Sequence, residues 1–179
     1  MLARFGVVTV SDRASDGTYT DRSGPAVEAY LEDALCSPLV CHRRLVPDER
    51  PIIEAVLKDL VDEVGCDMVV TTGGTGPAKR DVTPEATAAV CDRIIPGFGE
   101  EMRRVSIQEI RTALLSRQIA GIRGSSLIVN LPGSPRAIKT CLDAVFPAVP
   151  DCLDQLGATN IEVVDRLKAH RHRPVTKQG

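Results

Sequence analysis

Tryptophan is absent from this 179-residue sequence, and aromatic residues of all kinds make up only 3% of it. A hydrophobic core must therefore be built mostly from Val, Ile, Leu and Ala. An excess of positive charge is also missing: the formal net charge is −2. That excludes a broad nucleic-acid footprint, and it means that any phosphate ligand must be held by local features rather than by the overall field. Cysteines stand at positions 36, 41, 66, 91, 141 and 152, and no two form a C-x-x-C pair. This spacing argues against a zinc site and reads as reduced, mostly buried thiols in a cytosolic protein. No apolar run approaches the ~18 residues of a membrane span. The apolar run at residues 5–10 is too short for a secretory h-region and leads directly into Ser11-Asp12-Arg13. These absences predict a soluble, cytoplasmic protein with no membrane partner.

What remains is ordinary globular material, 43% hydrophobic and 26% charged, within the usual length of one domain. Short apolar runs at residues 5–10, 39–45, 68–71 and 126–129 read as strands, with a weaker one at 119–122. The run at 39–45 carries His42, Arg43 and Arg44, which suits an edge strand. Between the runs lie helical stripes. One is Val27, Tyr30, Leu31, Ala34 and Leu35; another is Ile53, Val56, Leu57, Leu60 and Val64, stopped by Gly65. A helix follows at 84–92, and Pro96-Gly-Phe-Gly-Glu100 reads as a flexible hinge feeding a helix at about 100–110. A last helix starts at Ser134-Pro135, and Pro147 and Pro150 must break it. The alternation predicts an α/β fold, a three-layer α/β/α sandwich with a mostly parallel central sheet. One domain is expected over residues 1–160. Residues 161–179 read as a polar, basic, flexible tail, where His170 and His172 make a poor metal site.

Residues 67–84 are the focus. A β-branched run ends in Thr72, and Gly73, Gly74, Thr75 and Gly76 follow at once. Glycines just past a strand let the backbone approach a ligand, and their N–H groups can cradle an anion. A tight turn needing positive φ is the alternative reading. Lys79, Arg80 and Asp81 come next, a set suited to a polyphosphate carried with a metal ion. Thr83-Pro84-Glu85 then has the form of a helix start, with Thr83 as the N-cap hydroxyl and Pro84 in the first helical position.

Two further strand ends carry polar loops: Ser11-Asp12, and Asn130-Leu-Pro-Gly133. In an open α/β sheet such loops can gather at one edge into a single site. The pattern is neither a nicotinamide fingerprint nor a P-loop, since G-x-G-x-x-G after the first strand and Gly-Lys-[Ser/Thr] are both missing. No Ser-His-Asp or Cys-His arrangement is apparent. Backbone donors, a few cations and carboxylates suit phosphoryl or nucleotidyl transfer, where positioning and charge stabilisation do most of the work. Asp48 and Asp81 are enough for Mg²⁺, which takes only one or two protein carboxylates. By pattern alone Asp48 reads first as the N-cap of the helix behind it.

Thr71-Thr-Gly-Gly-Thr-Gly76 followed by Arg80-Asp-Val-Thr-Pro84 resembles the signature of the molybdenum-cofactor biosynthesis family. So do Ser11-Asp-Arg13, Pro47-Asp48, Pro96-Gly-Phe-Gly-Glu100, Ser116-Arg-Gln118 and Asn130-Leu-Pro-Gly133. The combination is most similar to MogA-type molybdopterin adenylyltransferases. The resemblance implies Mg²⁺-dependent transfer of AMP from ATP to the molybdopterin phosphate, with release of pyrophosphate. It implies that Asp48 and Asp81 are catalytic and hold the metal. It implies that Ser11, Asp12, Thr72, Gly73, Gly74, Thr75, Gly76, Pro96, Gly97, Gly99, Glu100, Ser116, Arg117, Asn130, Pro132 and Gly133 bind substrate. Arg13, Arg80 and Arg117 are candidate phosphate partners, because a guanidinium fork matches phosphate oxygens. A homotrimer is implied, with the molybdate-inserting enzyme as a possible partner. The alternatives are a related molybdate-inserting transferase and a pterin-binding scaffold without catalysis.

Overall fold

β-branched and aliphatic residues concentrate in the strands because they pack well on a pleated surface buried from both sides. In a computed structural model, which describes residues 2–168, the strands form a six-stranded sheet in the order β2-β1-β3-β6-β5-β4. They are β1 (Ala3–Val10), β2 (Leu39–Val46), β3 (Met68–Thr72), β4 (Arg93–Ile94), β5 (Ala120–Arg123) and β6 (Ser126–Leu131). β1 pairs in parallel with β2 and β3, and β3 pairs in parallel with β6. β5 and β4 add antiparallel edges beyond β6. The sheet is therefore mostly parallel, and β2 is an edge strand as its arginines suggest.

Strand side chains alternate between two cores. Phe5 and Val7, Met68 and Val70, and Leu127, Val129 and Leu131 face one layer. That layer consists of α2 (Ser23–Ala34), α5 (Pro96–Glu109), α6 (Pro135–Val145) and α7 (Val149–Leu156). Val8, Val10, Val69 and Ile128 face the other, built from α3 (Arg50–Lys58), a π-helical turn at Asp59–Glu63 and α4 (Thr83–Val90). A four-residue helix, α1 (Asp12–Ser15), leaves the tip of β1. With few aromatics available, Tyr30 and Phe146 meet edge to face at 5.7 Å in the first core, and aliphatic residues supply most of both.

Three local readings are corrected. Pro96-Gly-Phe-Gly-Glu100 is not a hinge: it is the first turn of α5, with proline supplying a helix-ready φ at the start. Gly99 is small because a Cβ there would come within 2.6 Å of the Gln118 carbonyl oxygen. Asp48 does not cap α3; Glu49 holds that position without a side-chain bond, and the Asp48 carboxylate is used elsewhere. Thr83 lies inside α4 rather than at its cap.

The core also reaches past residue 160. Ile161, Val163 and Leu167 are 7%, 5% and 3% exposed and belong to the first core. Val163 bridges to Leu35, and the Val164 amide donates to the Ala34 carbonyl at 3.0 Å. Only the part of the expected tail from residue 169 onward, including His170 and His172, lies outside the described residues. A buried aliphatic side chain contributes roughly 1.5–3 kcal/mol. A chain ending at residue 160 should therefore be less stable than one ending at residue 168 by at least ~3 kcal/mol. Urea unfolding midpoints of the two truncated forms measure the difference.

Candidate active site

Parallel adjacency of β1, β3 and β6 places their C-terminal tips side by side, as expected for loops that share a sheet edge. At the tip of β1 the Ser11 hydroxyl accepts the Ala14 amide and starts α1. Asp12 and Asp48 then clasp one another. The Asp12 N–H donates to Asp48 Oδ2 at 2.8 Å, and the Asp48 N–H donates to Asp12 Oδ1 at 2.9 Å. Arg80 lies across this pair, donating to both Asp12 oxygens at 2.8 and 3.1 Å and to Glu49 at 2.7 Å. These surface ion pairs are individually weak. Their effect is positional, because three separate loops end up in one register.

The turn after β3 is held from several sides. Gly73 has φ +101°, and a Cβ there would sit 2.2 Å from the Val10 carbonyl oxygen. Gly74 has φ +62°, and its Cβ would meet Thr83 Oγ1 at 2.3 Å and Asp48 Oδ1 at 2.9 Å. Both positions require glycine on conformation and on space. Thr83 Oγ1 donates to the Gly73 carbonyl at 2.9 Å, and Thr72 Oγ1 donates to the Pro132 carbonyl at 2.8 Å. Arg117 braces the far side: its Nε donates to Gly76 O at 2.9 Å, and its other nitrogens reach Glu85 and the Asp81 carbonyl.

A cavity of about 500 Å³ opens over this edge, lined by Ser11, Asp12, Asp48, Gly73, Gly74, Asp81 and Gly133 together with Arg13, Tyr19, Asp21, Arg22 and Ser23. A second cavity of about 330 Å³ is lined by Thr75, Gly76, Ser116, Pro132 and Gln118, with Ile110, Ala113 and Leu115 in its wall. Thr75 and Gly76 continue the turn whose first glycines line the larger cavity. Pro96, Gly97, Gly99 and Glu100 line neither cavity. Thr72 and Asn130 are fully buried beneath the loops. Asn130 donates to Thr71 Oγ1 and Thr87 Oγ1 at 3.0 and 2.8 Å, so it fastens α4 to the sheet. Arg80 and Arg117 are engaged with protein groups, whereas Arg13 lies over the Tyr19 ring, 5.5 Å from its centroid.

Sequence reasoning missed Tyr19, Asp21, Arg22 and Ser23. Asp21 accepts the Ser23 and Gly24 amides, both at 3.0 Å, and the Thr9 hydroxyl at 2.9 Å. The start of α2 is thereby occupied by the protein's own carboxylate. Asp21 two residues ahead of Ser23-Gly24-Pro25 was a readable helix-start signal.

Asp48 and Asp12 are shifted in opposite directions. Burial pushes the Asp48 carboxyl up, and the neighbouring Asp12 and Asp81 carboxylates push the same way. Hydrogen bonds from Arg80 hold Asp12 below its ordinary value. Asp48 and Asp81 each give Oδ2 to a backbone amide, of Asp12 and Ala78 respectively. Among the described residues, Oδ1 of each accepts no hydrogen bond. No group of three or more acids, histidines or cysteines among the described residues could hold a metal ion. A cation here would therefore have at most Asp48 and Asp81, a number that Mg²⁺ accepts.

A model of the family described as a probable molybdopterin binding domain matches residues 6–151, from β1 into α7. The chain belongs to this molybdopterin-binding family. It is 54% identical over 173 residues to the molybdopterin adenylyltransferase of Haemophilus influenzae, covering 90% of this chain and 88% of that protein. The Escherichia coli molybdopterin adenylyltransferase is 48% identical over 178 residues, covering 93% and 91%. Among solved structures of the family, the molybdopterin biosynthesis enzyme MoaB of Thermus thermophilus superposes with a TM-score of 0.81. It shares 41% identity, with 89% of this chain and 99% of that one covered. The matched span contains all the loops that build the larger cavity.

Because its carboxyl is harder to ionise in the fold than in the unfolded chain, Asp48 favours the folded state at low pH. That contribution is lost as pH rises through its raised folded value. Asp48→Asn keeps an acceptor for the Asp12 amide and removes the charge. The variant should unfold at a higher temperature than the parent near neutral pH, with the gap closing below about pH 4. Melting curves at a series of pH values check the sign.

Proposed function

We propose that this protein is a molybdopterin adenylyltransferase acting in molybdenum cofactor biosynthesis: it transfers AMP from ATP to the terminal phosphate of molybdopterin and releases pyrophosphate. The observation that carries the reading is the convergence of Asp48, Asp81 and the Gly73–Gly74 turn on one cavity. Its support is a chain that aligns along nearly its whole length with adenylyltransferases at 48% and 54% identity.

In this reading the substrate brings its own nucleophile, the molybdopterin phosphate, so the protein needs no Ser, Cys or His nucleophile. The Gly74 amide receives a phosphate oxygen, while the Gly73 amide donates to the Leu131 carbonyl at 3.1 Å and holds the turn in place. Asp48 and Asp81 would hold Mg²⁺, which would neutralise phosphate charge. Arg13 supplies positive charge on the cavity wall. Asp12, clasped to Asp48 and crossed by Arg80, fixes the Asp48 carboxylate. Arg117 keeps the Asp81 segment from drifting by bonding its carbonyl and that of Gly76. Ser116, Pro132, Thr75 and Gly76 offer a second, more apolar pocket for the remainder of the substrates.

The cytoplasm is the proposed location, and no helix among the described residues is long and apolar enough to cross a membrane. The homotrimer of the family is proposed as well. Leu114, exposed by 68%, is apolar surface that another copy would cover. The adenylylated product is proposed to pass to the molybdate-inserting enzyme.

Asp81→Ala tests the assignment. Removing one preorganised electrostatic contributor should lower turnover by roughly 10²–10³-fold. Pyrophosphate release from ATP in the presence of molybdopterin is the measurement, and an unchanged rate would take Asp81 out of the mechanism.

A further inference from the structure

Aromatic side chains are scarce in this chain, and all but one serve the interior or border it. Phe5 and Phe146 are fully buried, and Tyr30 and Phe98 are 7% and 8% exposed. Tyr19 is 47% exposed and lines the larger cavity. Leaving an aromatic ring in water forgoes the burial that usually accounts for one.

Its position is nonetheless well determined. The Tyr19 amide donates to the Arg13 carbonyl at 2.8 Å, and the preceding Thr18 amide donates to Asp16 Oδ1 at 2.9 Å. These bonds close the segment back onto α1. The Arg13 guanidinium covers one face of the ring at 5.5 Å, a cation–π arrangement that orients the plane. A ring held in place, backed by a cation on one face and bordering a cavity that has its own anion turn and acidic pair, has the construction of a stacking platform.

We infer that Tyr19, backed by Arg13, is the surface on which the fused heteroaromatic ring of a substrate stacks. This makes Tyr19 a specificity-determining residue for a ring bearing a phosphate chain. The inference rests on the adenylyltransferase reading, in which both substrates have such a ring: adenine in ATP and the pterin in molybdopterin. Stacking needs only a flat π-face, so the chemistry is common to both. The phenol hydroxyl is not required for it.

Calorimetric titration of the full-length protein separates the possibilities. The ligands are ATP with Mg²⁺, molybdopterin, and inorganic tripolyphosphate with Mg²⁺; the proteins are the parent, Tyr19→Phe and Tyr19→Ala. Tyr19→Ala should weaken binding of one ring-bearing ligand by roughly 5- to 100-fold, and Tyr19→Phe should stay within about twofold of the parent. Loss confined to ATP assigns the platform to adenine, and loss confined to molybdopterin assigns it to the pterin. Tripolyphosphate, which has no ring, should bind all three proteins alike. If Tyr19→Ala binds both ring-bearing ligands as the parent does, or loses tripolyphosphate to the same extent, the platform is refuted. A parent protein that binds neither ATP nor molybdopterin would overturn the adenylyltransferase reading and the platform with it.

Discussion

The approach of Gly73 to the Val10 carbonyl sets the geometry of the whole sheet edge. β1 and β3 are adjacent and parallel, so the chain leaving β3 must turn directly beside the end of β1. Any Cβ at position 73 would fall 2.2 Å from that oxygen. With glycine there, the turn settles against β1, Thr83 can reach back to the Gly73 carbonyl, and α4 starts where it does. The same closeness leaves Gly74 facing Asp48. The arrangement of amides and acids is thus a consequence of strand order and two small residues.

Much of this was legible in the sequence, and particular residues show why. β-branched runs marked the strands, and three of them ended in polar or glycine-bearing loops. Parallel α/β topology then required those loops to share an edge. Pairing, register and the antiparallel edge formed by β4 and β5 were not legible, since they depend on contacts between distant segments. Pro96-Gly-Phe-Gly-Glu100 misled because two glycines within a short span look like freedom; here Gly99 answers a packing demand from the Gln118 carbonyl. Asp48 was equally ambiguous. A carboxylate before a helix is a natural cap, and only the reciprocal bonds with Asp12 reveal that it is held for another purpose. The apolar residues at 161, 163 and 167 were too widely spaced among polar ones to stand out, yet they complete the first core.

The site carries a thermodynamic conflict of the kind expected where stability and activity compete. Asp48 is partly buried, beside two other carboxylates, and resists ionisation. The cap position of α3 belongs to Glu49, so Asp48 is not held there as the helix cap. A carboxylate kept in an unfavourable setting makes sense if a cation or a developing charge rewards it during turnover. Arg80 hydrogen-bonds Asp12 and Glu49 and acts on Asp48 only through space, too weakly to offset its burial.

The central claim is that the acids and the glycine turn face one ligand together. A crystal structure of the protein soaked with ATP and Mg²⁺ tests it most directly. The account predicts the triphosphate against the Gly74 amide, with Asp48 and Asp81 both contacting the metal or its water shell. A triphosphate bound away from both carboxylates would contradict it, leaving the fold as described and the chemistry without a site.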